Sequence, residues 1–111
     1  MRKILIVDDE EDLCVLMRSY LRALGHDVYV ASTLDDGIRE IQRLKPDVIF
    51  LDNNLPDGIG WSSLDYIREQ SPESKINLMS AYQTIPRDLD KLMEVQYLEK
   101  PISLAMLKDY I

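Results

Sequence analysis

Val48-Ile49-Phe50-Leu51-Asp52 is four apolar residues closed by a carboxylate, and the chain repeats that form. Ile4-Leu5-Ile6-Val7 runs into Asp8-Asp9, Ile76-Asn77-Leu78-Met79 into Ser80, and Tyr97-Leu98-Glu99 into Lys100-Pro101. Runs that are nearly continuous in apolar residues fit strands covered on both faces, as in a parallel sheet. In an open parallel sheet the strand C-termini share one edge, and ligands bind along it. Carboxylates, a hydroxyl and an ammonium therefore converge, which is the make-up of a metal-and-phosphate site.

Working outward, strands are predicted near 3–7, 27–31, 47–51, 75–79 and 96–99, with helical patterns between them. Leu13, Leu16, Met17, Tyr20, Leu21 and Leu24 fall on one face of helix 1, and Gly25 suits the left-handed position after it. Helix 2 starts at Thr33, an N-cap with Asp36 three residues on, and buries Leu34, Ile38, Ile41 and Leu44. Gly37 inside it is read as close packing on the sheet, and Pro46 as its stop. Helix 3 follows Pro56-Asp57-Gly58 with Trp61, Leu64 and Ile67 at helical spacing. Pro86 opens helix 4, with Leu89, Leu92 and Met93. Helix 5 starts near Ser103, carries Leu104, Leu107 and Ile111, and looks clipped. The expected fold is α/β, a doubly wound (βα)5 parallel sheet with right-handed crossovers, forming one domain over 1–111.

The chain has 111 residues, enough for one core. Its net charge is 13 − 20 = −7, which argues against this domain gripping nucleic acid by itself. The single cysteine, Cys14, cannot form an intramolecular disulfide and is expected to pack inside. A reducing cytosol, and so a cytoplasmic location, fits that usage. The apolar run after Met1-Arg2-Lys3 is too short for a signal peptide, and no stretch approaches a membrane span.

At the strand ends, Asp52 is suited to be a nucleophile that accepts a phosphoryl group. Asp8 and Asp9 offer hard oxygens, the ligands Mg²⁺ or Mn²⁺ takes. Asp8-Asp9-Glu10 also reads as an acidic helix start, and both roles are compatible. Ser80 offers a hydroxyl donor and Lys100 a point charge for phosphate. Pro101 after Lys100 is a cis-peptide candidate. Tyr97 alone would read as core, and His26 as a surface residue by a turn.

Asp8-Asp9-Glu10, Val48 to Asp52 with Leu55-Pro56-Asp57-Gly58, Ser80-Ala81-Tyr82 and Lys100-Pro101 together resemble the receiver domain of bacterial two-component response regulators. The resemblance covers essentially the whole chain. It implies a flavodoxin-like three-layer sandwich of strand order 2-1-3-4-5. It further implies Asp52 as phosphoacceptor, with Mg²⁺ bound by Asp9, by Asp8 through water, by Asp52 and by the backbone carbonyl of Asn53. Ser80 and Lys100 would hold phosphoryl oxygens, and Tyr97 would be the aromatic switch. Asn54, with Tyr82, would tune phosphate lifetime. The implied partner is a sensor histidine kinase or a phosphotransfer protein. Helix 4, strand 5 and helix 5 would relay the signal or form a homodimer, with no nucleic-acid or membrane contact by this domain.

The stretch from Ser80 to Lys100 is shorter than in most receivers and has Met93-Glu94-Val95-Gln96 where a Gly-Ala pair is usual, which makes the output surface the least typical part. An aspartate-nucleophile phosphatase of the haloacid dehalogenase type would need a second acid two residues after Asp52, where Asn54 stands and cannot cycle a proton. Gly58-Ile59-Gly60 lacks the third glycine of a dinucleotide loop. A basic helix-turn-helix module after Ile111 would make the protein a transcription regulator. A true stop there would make it a stand-alone receiver acting in phospho-relay or docking.

Overall fold

A computed structural model of the chain describes residues 1–81 and 95–111. Five strands form one parallel sheet: β1 (Lys3–Val7), β2 (Asp27–Ala31), β3 (Val48–Asp52), β4 (Lys75–Ser80) and β5 (Gln96–Glu99). Their order is 2-1-3-4-5, as expected. Register aligns Val7 with Leu51 and Asp52 with Met79, so the polar strand ends lie along one edge. Strand 3 ends one residue later than predicted, because Asp52 itself pairs in the sheet.

Both faces of the sheet are covered, which explains the unbroken apolar runs. One face carries Leu5, Val7, Ile49, Leu51, Ile76 and Leu78 against Ile41, Leu64 and Ile67 of α2 (Leu34–Leu44) and α3 (Leu64–Gln70). The other carries Ile4, Ile6, Val48 and Phe50 against Met17 and Leu21 of α1 (Glu11–Ala23) and Leu107 near the C-terminus. Burying a side chain of this size stabilises by roughly 1.5–3 kcal/mol, so these two layers dominate the fold.

Several local expectations hold. Gly25 has φ +93° after α1. Thr33 caps α2 by accepting the Asp36 N–H at 3.1 Å. A Cβ on Gly37 would lie 2.8 Å from Val7 Cγ1, so this glycine does mark close helix–sheet packing.

Others are corrected. In α1, Leu16 and Leu24 are exposed while Cys14 takes a core position, since the buried stripe runs Cys14–Met17–Leu21. Helix 2 stops at Leu44, with Lys45 in the left-handed conformation before Pro46 is reached. Helix 3 opens with a 3-10 turn over Gly60–Ser63. Helix 5 is a 3-10 helix, Leu104–Tyr110, tied to β4 by Asn77, whose amide donates to the Tyr110 carbonyl at 2.9 Å. The predicted helix 4, with Pro86, Leu89, Leu92 and Met93, lies outside the described residues, as does Tyr82.

A long-range tie supports the loop after β3. Asp57 accepts the N–H groups of Leu34 and Asp35 at 2.7 and 2.9 Å, adding a second cap to α2 from a distant loop. The Asp35 and Leu34 amides hold its carboxyl below the usual carboxylate range. Asp57→Ala is expected to lower the thermal midpoint by a few degrees, and Asp57→Asn, which keeps one acceptor, by less. Equal midpoints for all three proteins in a melting series would discount the tie.

Candidate functional site

Asp8, Asp9 and Asp52 each bring a carboxylate oxygen to the sheet edge, all within 4.8 Å of one another. β1 delivers Asp8 and Asp9 at its end, and β3 delivers Asp52 beside them. Asp8 and Asp52 are buried and Asp9 is exposed, so the cluster has a floor and an open side. Asp8 Oδ1 accepts the N–H of Glu10, the N-cap residue of α1, at 2.8 Å, while no side chain caps the first turn of the helix. Asp8 Oδ2 lies 2.9 Å from Lys100 Nζ, close enough to pair charge.

Lys100 closes the site from β5. Its ammonium is 2.6 Å from Glu10 Oε1, 2.9 Å from Asp8 Oδ2 and 3.4 Å from Asp52 Oδ1. Burial opposes its charge, yet the close contacts with Glu10 and Asp8 and the charges of Asp8 and Asp52 hold its pKa above the usual lysine value. The Lys100 N–H donates to the Ser80 carbonyl at 2.8 Å, locking the ends of β4 and β5 together. The Lys100–Pro101 peptide is cis, as expected. Ser80 is buried at the end of β4, between the ends of β3 and β5.

Asp52 carries the largest electrostatic burden. Burial first, and then the Asp8 charge, push its pKa up from 3.8 to about 6, while Lys100 and the Asn54 N–H work the other way. Asp52 is thus still mainly a carboxylate at pH 7. The donor set contains only hard oxygens, which fits Mg²⁺ or Mn²⁺ and not a soft metal. The Cys14 thiol does not add a ligand: burial and the Asp8 charge hold its pKa at about 11, and it donates to the Asp8 carbonyl at 3.3 Å.

The loop after Asp52 is built around backbone contacts. Asn54–Leu55 pairs with Gly58–Ile59 in a small antiparallel hairpin. The Asn53 carbonyl accepts the Gly60 N–H at 2.9 Å, and its side-chain oxygen accepts the Trp61 N–H at 3.3 Å. The carbonyl expected to face a metal is therefore already engaged in the turn. The Asn54 side chain is exposed. A Cβ on Gly60 would sit 2.3 Å from the Asp52 carbonyl, so only glycine lets the loop pass there. Tyr97 is half-buried on β5, with its ring edge-on to Trp61 at 6.4 Å.

The predicted residues Asp8, Asp9, Asp52, Ser80 and Lys100 are thus brought together, with Asn53 and Asn54 in the adjoining turn and Tyr97 set further along β5. Sequence reasoning misses Glu10 as a partner of Lys100, and it misses the roles of Gly60 and Asp57. Gly60 carries a sequence signal only as a fragment of a nucleotide loop, and the contact of Glu10 with Lys100 spans 90 residues of chain. His26 has a modest structural role, accepting the Arg2 N–H at 3.1 Å. No helix among the described residues is long and apolar enough to cross a membrane.

Comparison with known proteins agrees with this geometry. The chain is 36% identical over 120 residues to the transcriptional regulatory protein YxdJ of Bacillus subtilis, covering 100% of this chain and 51% of YxdJ. It is 39% identical over 80 residues to the regulatory protein LuxO of Vibrio cholerae, covering 72% of this chain and 18% of LuxO. The chain thus spans about half or less of the length of these curated relatives. A crystal structure of a two-component response regulator from Clostridium difficile superposes with a TM-score of 0.87 at 28% identity, covering 98% of this chain and 91% of that one. Residues 4–111 match the family model of the response regulator receiver domain, and the chain belongs to that family, the phosphorylation-dependent switches of two-component systems.

Proposed function

We propose that Asp52 is the phosphoacceptor of this receiver. The observation that carries this is its buried carboxylate at the end of β3, within 4.8 Å of Asp8 and Asp9 and 3.4 Å from Lys100 Nζ. A carboxylate oxygen of Asp52 attacks the phosphorus of a phosphohistidine on a sensor histidine kinase or phosphotransfer protein. The P–N bond breaks, its electron pair returns to the imidazole, and an acyl phosphate remains on Asp52. Asp8, Asp9 and Asp52 would hold Mg²⁺ or Mn²⁺, which neutralises charge on the transferring phosphoryl group when bound. The Asn53 carbonyl retains one lone pair for that set beside its bond to Gly60.

Lys100 and Ser80 take phosphoryl oxygens once the group is in place. Pairing with Ser80 shifts the end of β4, and Tyr97 turns inward in response. Asn54 borders the path of hydrolytic water. With no acid at position 54, the site holds phosphate as a switch and does not turn over as a phosphatase. β5 and the C-terminal helix contribute to the surface that carries the signal or pairs two copies. The likeness to the longer regulator YxdJ supports a role in transcription control through a further segment of the full-length protein, in the cytoplasm.

Incubation with a small phosphodonor and Mg²⁺ should add one phosphate to the wild type by intact mass. Asp52→Asn should add none. An unlabelled wild type, or equal labelling of the variant, would overturn the assignment.

A further inference from the structure

Lys100 must give phosphate something it already spends elsewhere. Its ammonium has three N–H donors, and three carboxylates surround it. The shortest contact, 2.6 Å, goes to Glu10, and the longest, 3.4 Å, goes to Asp52. The donor facing Asp52 is 3.4 Å away, so engaging a phosphoryl group there draws the ammonium toward Asp52 and lengthens one of the two shorter contacts. Asp8 is a poor choice, because its side chain is 0% exposed and loss of its cation would leave a buried, unpaired charge. The Glu10 side chain is 58% exposed, and water replaces Lys100 there at little cost.

We infer that Glu10 is a latch on Lys100: it draws the ammonium away from Asp52 in the resting domain and releases it when a phosphoryl group arrives. The inference rests on the phosphoacceptor reading above. Glu10 acts through Lys100 and touches no reacting atom, so it is a positioning residue. Its position at the start of α1, on the open side of the site, lets it swing into solvent without disturbing the sheet. The latch sets how readily Asp52 is occupied, a separate matter from whether it can be.

The test compares wild type with Glu10→Gln and Glu11→Gln in affinity for beryllofluoride, a phosphoryl mimic, in Mg²⁺. Glu11 is a neighbouring exposed acid in the same first turn, and it makes no ion pair among the described residues. Glu10→Gln should tighten binding about two- to fivefold, the range an exposed ion pair supports, and Glu11→Gln should change it much less. Equal gains from both variants would mean that general charge is at work, and an unchanged Glu10→Gln would mean no latch; either overturns the inference. Urea unfolding in chelator adds a metal-free readout. The effect of Glu10→Gln should differ between wild type and a Lys100→Met background, and strict additivity would count equally against the latch. A wild type that neither binds the mimic nor takes covalent phosphate overturns the phosphoacceptor reading and this inference with it. Where the wild type does both, the variants report on Glu10 alone.

Discussion

Lys100→Met is expected to cost the metal-free fold about 3 kcal/mol at pH 7, read from urea unfolding in chelator. The side chain is only 12% exposed, and it is the one cation paired with Asp8 and Asp52 among the described residues, whose side chains are 0% and 5% exposed. Met preserves most of the aliphatic stem, so the loss isolates the charge. Without the ammonium, two buried carboxylates face each other with nothing between them, and leaving a buried charge unpaired is far more damaging than losing a surface pair. The penalty should shrink as pH falls toward about 6, because Asp52, no longer held down by Lys100, takes up its proton at a higher pH than in the wild type. It should shrink as well on adding Mg²⁺, which supplies the missing positive charge. A variant as stable as wild type in chelator at pH 7 would mean that the cluster is better solvated than its burial indicates.

Much of this site is legible in the sequence because the sheet itself sorts it. A parallel strand buried on both faces is apolar nearly throughout, Asn77 with its bond to Tyr110 being the exception in β4, so the polar residue that closes the run marks its end. That rule finds Asp8 and Ser80, and it brings Asp52 to the edge although Asp52 still pairs within β3. The same logic holds for Thr33 and Gly25, whose roles depend on neighbours a few residues away. Contacts across loops are not legible. Nothing near Asp57 in sequence signals that it caps α2, and nothing around Gly60 signals the Asp52 carbonyl pressing against it. Helix faces are half legible: on α1 the pattern of leucines suggests a broad stripe, but the sheet covers a narrower one, leaving Leu16 and Leu24 exposed and using Cys14. Tertiary packing chooses among apolar residues that periodicity treats alike.

Three clustered carboxylates repel one another, and their burial locates the strain. Asp9 is exposed, whereas Asp52 is buried beside Asp8, so neutralising Asp52 is where relief is greatest. Asp52→Asn should therefore stabilise the metal-free domain by on the order of 2 kcal/mol at pH 7 to 8, by the linkage between a raised pKa and folding. Below the ordinary aspartate value of 3.8, the group is protonated in both folded and unfolded chains and the wild type suffers no penalty. Between 3.8 and about 6 the unfolded chain releases its proton while the folded one keeps it, so wild-type stability falls as pH rises. Above about 6 both are ionised and the loss is complete. The advantage of Asp52→Asn should accordingly grow from nothing near pH 4 to its full value above pH 6, and then narrow when Mg²⁺ is added, because the wild type gains more from the cation. Unfolding curves at pH 4 and pH 7.5, each in chelator, check the sign. A variant less stable than wild type at pH 7.5, or a gain that does not change with pH, would mean that Lys100 already compensates Asp52 in full. The comparison links the two substitutions: removing the cation should destabilise the domain and removing the anion should stabilise it, so the double variant should recover much of what Lys100→Met loses. A resting site held short of positive charge is the physical basis for its dependence on a divalent metal, and for its readiness to engage a phosphoryl group only when that metal is present.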